Sequence, residues 1–108
     1  MRIANQEGSG YVERRQIFCG SHTFSEEKNG VYAVYSYGYH FPMYAYIKGV
    51  WFANRDKYSR STSRQQSQMR PWSVPELIYL NTKELQNLIN NPDEADYIPF
   101  YQKLGVPI

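Results

Sequence analysis

The stretch Val31–Asn54 constrains the fold of this chain more than any other, because aromatic and β-branched residues alternate along it in short runs. Such residues favour strands, and successive strand positions face opposite sides of a sheet. The pattern predicts strands at Val31–Tyr37, Met43–Lys48 and Val50–Asn54. In the first strand it separates Tyr32, Val34 and Ser36 from Val31, Ala33, Tyr35 and Tyr37. In the second it separates Tyr44, Tyr46 and Lys48 from Met43, Ala45 and Ile47.

Turn-forming residues separate these strands. Asn29-Gly30 precedes the first strand, Gly38 and Pro42 lie between the first and the second, and Lys48-Gly49 connects the second to the third. Such residues are typical of tight turns. Short reversals join antiparallel neighbours, so we expect an antiparallel meander.

The residues before the meander give a weaker signal. Met1–Gly10 holds few apolar residues, and we expect a loose lead-in there. Tyr11–Phe18 favours a short strand that ends at Cys19-Gly20, and its period is also compatible with a helical turn.

Asn54–Arg70 is basic, rich in hydroxyl groups and nearly devoid of aliphatic residues. It has two interpretations. Ser61 or Thr62 caps a short helix that runs to Met69 and is ended by Pro71, or the segment is an ordered polar loop, since it has almost no apolar stripe.

Two helices are predicted further along the chain. Trp72–Leu80 favours a short helix with Ser73 as its cap and Pro75 in its first turn. Asn81–Asn91 is a clearer helix. Its cap is Asn81 or Thr82, and its apolar stripe is Leu85, Leu88 and Ile89. Residues 93–108 form either a last short helix or a packed tail.

Together these elements predict an α+β fold, a three- to four-stranded antiparallel meander packed by C-terminal helices. With 108 residues, the chain has a common size for one domain. We expect a single domain over 1–108, with the lead-in at 1–10, the meander at 11–54, a basic polar segment at 55–71 and a mainly helical part at 72–108.

Charge is unevenly distributed along the chain, whose net charge is +2. Between Lys48 and Arg70 there are six cations and one acid, Asp56, whereas the remainder holds six cations and nine acids. Positive charge is therefore concentrated on the segment between Lys48 and Arg70. Such an imbalance gives information about binding partners rather than about the fold.

This basic segment and its aromatic neighbours resemble a nucleic-acid or phosphate contact surface. Arginine and lysine supply charge, serine and threonine supply short donors, and an aromatic ring can stack. The candidate partner-binding residues are Arg55, Lys57, Tyr58, Arg60, Arg64, Gln65, Arg70 and Trp51. Two alternatives stay open: a solvated polar connection, or an internal polar network that bridges the meander to the C-terminal helices.

The aromatic face of the meander also has two interpretations. Tyrosines at alternate strand positions usually cover the edge of a core, with their hydroxyls in water. If Tyr32, Tyr44, Tyr46 and Trp51 share an exposed face instead, they form an interaction surface.

Metal and catalytic chemistry find little support in the sequence. His22 and His40, with one cysteine in the chain, fit no zinc-ligand spacing. No nucleophile elbow surrounds Cys19 or Ser21. We expect no catalytic residue, no metal and no cofactor. The single cysteine and the absence of a membrane-length apolar run or a signal peptide predict a cytoplasmic protein without membrane contact.

Two spaced motifs suggest kinship. The run YSYGYHFPMYAY, followed by WFANRDKYS and STSRQQSQMRP, covers about Val31–Pro71. It resembles a group of small uncharacterised proteins of bacteriophages and related viruses that share a YSYG-x-HFP hairpin and a DKYS…TSR-x-QS segment. The resemblance implies no activity. Gln65 stands where such proteins are expected to have histidine, so a catalytic role for that histidine would be lost here.

Three hypotheses follow. The first is a small non-enzymatic binding protein, an accessory protein or inhibitor that engages a host protein or protein–nucleic-acid complex involved in defence or nucleic-acid processing. The second is direct DNA or RNA binding, with phosphates held by Arg55, Lys57, Arg60, Arg64 and Arg70. The third and weakest is an enzyme of unknown class centred on His40, Tyr58 and Arg64.

Overall fold

The computed structural model describes residues 2–57, 59–71, 74 and 76–93. In this part of the chain there are six strands: β1 (Cys19–Gly20), β2 (Thr23–Lys28), β3 (Val31–Ser36), β4 (Pro42–Ile47), β5 (Val50–Asn54) and β6 (Ile78–Leu80). The helices are α1 (Gly8–Glu13), α2 (Arg60–Met69) and α3 (Thr82–Asn90), and a 3₁₀ turn at Asn5–Glu7 precedes α1. The predicted α+β class is confirmed, but the sheet has more strands than expected.

The strands lie side by side in chain order, and each neighbouring pair from β1 to β5 is antiparallel. Asn29 and Gly30 have φ angles of 55° and 78°, and Lys48 and Gly49 have φ angles of 51° and 82°. Two consecutive positive φ angles suit two-residue hairpin turns, whose twist matches that of the strands. Both predicted turns, and the meander β3–β5, are therefore confirmed.

The last strand makes the sheet mixed, because β6 pairs parallel to β5. Parallel neighbours need a crossover connection, and the segment between them contains α2. The predicted helix over Trp72–Leu80 is wrong at its C-terminal end, where Ile78 and Leu80 are buried and Tyr79 is exposed. That alternation has the period of a strand. The predicted cap Ser73 and Pro75 lie outside the described residues.

Both faces of the sheet are covered. On one, Tyr32 and Val34 pack with Met69 of α2 and Val12 of α1. On the other, a second apolar cluster includes Val31, Ala33 and Tyr35 of β3 and Leu85 and Leu88 of α3. The predicted division of β3 into two faces is confirmed.

Strand β4 departs from the predicted alternation at Met43, which packs with Tyr44 on the α2 side of the sheet. The cause is a shift in pairing. Val34 pairs with Tyr44 whereas Tyr35 pairs with Pro42, so Met43 is the extra residue of a bulge. An extra residue breaks the two-residue period and re-aims its side chain.

The expected loose lead-in is wrong, because Asn5–Glu7 and Gly8–Glu13 are helical. From Tyr11 to Glu13 the alternative of a helical turn is confirmed in place of the short strand. Val12 is fully buried, and Gly8 lies so close to α2 that a Cβ there would sit 2.0 Å from Met69 Sδ. Packing against α2 therefore orders a segment whose own composition gives little signal. The first strand of the sheet is Cys19–Gly20.

Both helices around the crossover have side-chain caps. The basic segment forms helix α2, so the helix interpretation is confirmed and the polar-loop interpretation is wrong. The N-cap of α2 is Ser59 rather than the predicted Ser61 or Thr62. Helix α3 confirms the prediction, with Asn81 and Glu84 forming a capping box. Residues 94–108 of the predicted tail lie outside the described residues. None of the helices in the described ranges combines the length and apolarity needed to cross a bilayer.

Candidate binding surface on helix α2

Helix α2 has two unlike faces. Its buried positions follow the i, i+3, i+4, i+7 spacing of a helix face, and they are Thr62, Gln65, Gln66 and Met69. Arg60, Arg64 and Ser67 are exposed on the opposite side. Three of the four buried side chains are polar, so hydrogen bonds take much of the role that an apolar stripe has in most packed helices.

Gln66 is the centre of these hydrogen bonds. Its side-chain Nε2 donates to the backbone carbonyl oxygens of Asn54 (3.0 Å) and Asp56 (3.1 Å). Its Oε1 accepts from Lys57 Nζ at 2.9 Å, and its backbone carbonyl accepts from Tyr44 Oη at 2.5 Å. Burial, which disfavours the ionised phenolate, raises the pKa of Tyr44.

Asp56 extends the network to α3. Its Oδ2 accepts from the backbone N–H and the hydroxyl of Thr82, each at 2.8 Å. These two hydrogen bonds stabilise the carboxylate and lower the pKa of Asp56. Asn54 Nδ2 donates to Pro42 O (2.8 Å) and to Thr82 Oγ1 (3.0 Å). An internal polar network between meander and helices, one of the two open alternatives, is therefore present.

Two predicted contact residues belong to the interior. Gln65 is 5% exposed, accepts a hydrogen bond from Ser36 Oγ and donates one of 3.5 Å to Ser21 O. Trp51 is 7% exposed and packs against Tyr32 and Tyr46, with ring centroids 6.3 and 5.1 Å away. Neither side chain is exposed for contact with a partner in this structure, because each is enclosed by its own protein. Tyr32 and Tyr44 are also buried and Tyr46 is half-buried, so these three tyrosines and Trp51 do not share an exposed face.

Three predicted cations have partners within the protein. Arg55 Nη2 lies 3.6 Å from Glu84 Oε1, Lys57 contacts Gln66, and Arg70 Nη1 donates to the Tyr79 hydroxyl at 3.0 Å. Tyr58 lies outside the described residues.

Arg60 and Arg64 differ from these cations. Both are exposed, and neither forms an ion pair or a side-chain hydrogen bond with any residue that the structure describes. They stand one turn apart on a helix whose other face is fixed to the sheet. The structure therefore presents two positive charges outward on a rigid support.

A pair of surface rings beside α2 is absent from the sequence prediction. The rings of His22 and Tyr37 are stacked, with centroids 4.7 Å apart and planes at 11°. The hairpin register explains the pair, since Lys28 pairs with Val31 and Thr23 with Ser36. The next two residues outward are therefore opposite each other. The Asn29-Gly30 turn fixes this register, so the pair was available from the sequence.

The enzyme hypothesis centres on His40, Tyr58 and Arg64, of which Tyr58 lies outside the described residues. His40 lies between β3 and β4, and its carbonyl oxygen accepts a 2.7 Å hydrogen bond from Gln86 of α3, whereas Arg64 belongs to the helix on the other face. A cavity of about 390 Å³ on the α3 side is lined by neither of them, but by Tyr35, Tyr39 and Ile89 among others. Within the described ranges, no three His, Cys, Asp or Glu side chains are grouped for a metal ion.

Comparison with known proteins gives no match: no family model, no curated protein and no solved structure matches this chain. The resemblance to the group of phage and viral proteins stays a prediction.

Proposed function

We propose that this chain is a non-enzymatic binding protein whose contact surface is the exposed face of α2, with Arg60 and Arg64 at its centre. In keeping with the resemblance, its partner is a host protein or a protein–nucleic-acid complex. It acts in the host cytoplasm as a phage-encoded accessory protein or inhibitor of a defence or nucleic-acid-processing complex.

One observation carries this proposal, namely that Arg60 and Arg64, which have no partner among the residues that the structure describes, point outward from a helix anchored by Gln65 and Gln66. The helix is already ordered in the free protein. Binding to it therefore costs less conformational entropy than binding to a flexible segment would. Arginine is also enriched among residues that dominate binding energy. The buried face of the helix is formed by other residues, so the packing of α2 on the sheet does not account for the positive charges of Arg60 and Arg64.

A pull-down experiment tests the proposal. The tagged protein is exposed to a bacterial lysate, and captured proteins are identified by mass spectrometry after washes of rising salt concentration. We expect a discrete partner that Arg60→Gln/Arg64→Gln fails to capture. Glutamine keeps the helix propensity close to that of arginine, so the substitution removes charge rather than structure.

The matched control is Arg14→Gln/Lys28→Gln. It removes the same two charges from exposed positions at the end of α1 and of β2. Capture that survives in the control and fails in the α2 variant supports the proposal. Equal capture by both variants, or no partner at all, contradicts it.

Direct DNA or RNA binding is the second candidate function, and the exposed His22–Tyr37 pair beside α2 favours it. On single strands, the slope of log affinity against log salt changes by about 0.7 for each phosphate contact. Loss of both α2 arginines should therefore reduce the slope by about 1.4. No affinity for an oligonucleotide at low salt would exclude this candidate.

A further inference from the structure

The stacked His22–Tyr37 pair lies at one end of the sheet and is open to solvent. Tyr37 keeps 49% of its surface exposed, and His22 is also exposed. A buried aromatic pair would be explained by the core it completes. This pair completes none, since neither residue belongs to the two apolar clusters.

The backbone at both positions is left-handed, which is uncommon for tyrosine and less so for histidine. His22 has a φ angle of 58° and Tyr37 a φ angle of 59°, in the left-handed region that glycine and asparagine adopt more readily. The Tyr37 N–H donates to the His22 carbonyl oxygen at 2.8 Å, which ties the two loops together. The turns need a left-handed residue, but they do not need an aromatic one.

Helix α2 passes directly beside the pair. Gln65 is hydrogen-bonded to Ser36 Oγ and to Ser21 O, and these are the residues that precede Tyr37 and His22 in the chain. Arg64 immediately precedes Gln65 and is turned about 100° from it around the helix axis, away from the sheet. The pair of rings and the Arg64 guanidinium, which has no partner in the described part of the chain, therefore border the same side of the helix.

We propose that the His22–Tyr37 pair stacks on an unpaired base of single-stranded nucleic acid, while Arg64 and Arg60 hold the neighbouring phosphates. This rests on the proposed use of the α2 face, and it develops the second candidate function, direct nucleic-acid binding, by naming a single strand as the partner. Flat aromatic rings bind bases whatever their identity, and cations follow the backbone. A duplex keeps its bases stacked inside, so it could use the arginines but not the rings. An acidic protein surface would likewise leave the rings unused.

The test measures fluorescence anisotropy of a labelled 12-nucleotide oligothymidine and of a duplex of the same length, across a salt series. We expect tighter binding to the single strand. Tyr37→Asn and His22→Asn remove a ring and keep a residue that tolerates the left-handed backbone. Each should weaken single-strand binding about 5- to 150-fold, the range of one base stack. Neither should change the salt slope.

The matched control is Tyr39→Asn. Tyr39 is 59% exposed, but its hydroxyl is hydrogen-bonded to Glu26 and its ring packs with Phe24 and Tyr35 on the α3 side. Its loss should leave the affinity unchanged. An abasic oligonucleotide is tested on the unaltered protein, so its result does not depend on the folding of a variant. It should bind the unaltered protein as weakly as oligothymidine binds Tyr37→Asn.

Two results would overturn the stacking site. One is equal affinity for the single-stranded oligothymidine and the duplex, and the other is an abasic strand that binds as tightly as oligothymidine. If a protein partner is then still lost with Arg60→Gln/Arg64→Gln, the proposed function stands and only the class of partner is wrong. If that variant captures its partner normally, the proposed function fails as well.

Discussion

The side-chain amide of Gln66 donates a 3.0 Å hydrogen bond to the backbone carbonyl oxygen of Asn54, the last residue of β5. That bond joins the middle of α2 to the strand from which the crossover begins. Because the same amide also reaches Asp56 O, a single side chain fixes both the exit from the strand and the position of the returning helix. The outward direction of Arg60 and Arg64 depends on this attachment.

Replacement of Gln66 by methionine should therefore destabilise the protein. The side chain keeps its length, but the buried carbonyl oxygen of Asn54 and the partly buried one of Asp56 both lose a donor. We expect a loss of about 2–4 kcal/mol in the free energy of unfolding, measured by urea denaturation. Gln68→Met is the control. Gln68 is half-buried and its side chain forms no hydrogen bond with the described residues, so its change should stay within about 0.5 kcal/mol. Equal losses in the two variants would mean that the network does not hold the helix.

The same bonds show why sequence reasoning recovered the meander but not the crossover. The turns at Asn29-Gly30 and Lys48-Gly49 carry their own backbone preferences, so a local pattern is enough to find them. Strand β6 has three residues, and its pairing with Phe52–Asn54 depends on a helix held by glutamine side chains. Polar residues at buried positions look like solvated ones in a sequence, because their partners are distant in the chain.

Asp56 should make the stability depend on acid. Its two hydrogen bonds from Thr82 lower the pKa of its carboxyl below the ordinary value of 3.8, so the folded state binds the proton less readily than the unfolded state. The stabilisation is complete above the unfolded pKa and is lost as pH falls through the lower folded value. Asp56→Asn should lose about 1 kcal/mol at pH 7, through the loss of charge-assisted hydrogen bonds, and less as the pH falls below 4.

Thermal unfolding of both proteins from pH 7 to pH 2 checks this expectation. The control is Asp93→Asn, since the Asp93 side chain is 94% exposed and contacts only the exposed Lys48 in the described structure. A difference between Asp56→Asn and the unaltered protein that stays constant across the whole range would show that the carboxylate charge has no part in the network.

Gly8 should not tolerate a side chain, although it lies in a helix. A Cβ at this position would sit 2.0 Å from Sδ of Met69, which is fully buried, so the helices would have to separate or Met69 to change its conformation. Gly8→Ala is expected to cost about 1–3 kcal/mol. Gly10→Ala, in the same helix, meets nothing closer than Arg14 Nη2 at 3.5 Å. It should be neutral or stabilise by up to about 1 kcal/mol, because alanine favours helix more than glycine does. Urea denaturation of the pair separates close packing from helix propensity.

The candidate surface was predicted in part, and the reason lies in the helical period. Once residues 60–69 form a helix, the positions of Gln65 and Gln66 on one side and Arg60 and Arg64 on the other follow from 100° per residue. Which side faces the sheet does not follow, because neither side is apolar. The composition of the sequence shows where the basic segment lies. That Gln65 and Gln66 face the sheet is known only from their hydrogen bonds with Ser36 and Asn54.

Removal of the two outer arginines should leave the fold intact and abolish its response to a polyanion. Arg60 and Arg64 have no partner among the described residues, so Arg60→Gln/Arg64→Gln should change the free energy of unfolding by less than about 0.5 kcal/mol. A ligand that binds only the folded state raises stability by about 2.7 kcal/mol at one hundred times its Kd. An excess of oligothymidine or heparin should therefore raise the Tm of the unaltered protein and of Arg14→Gln/Lys28→Gln, but not that of the α2 variant. A variant that unfolds early without ligand would show instead that the arginines stabilise the fold, and an equal rise in Tm for all three proteins would place the anion elsewhere on the surface.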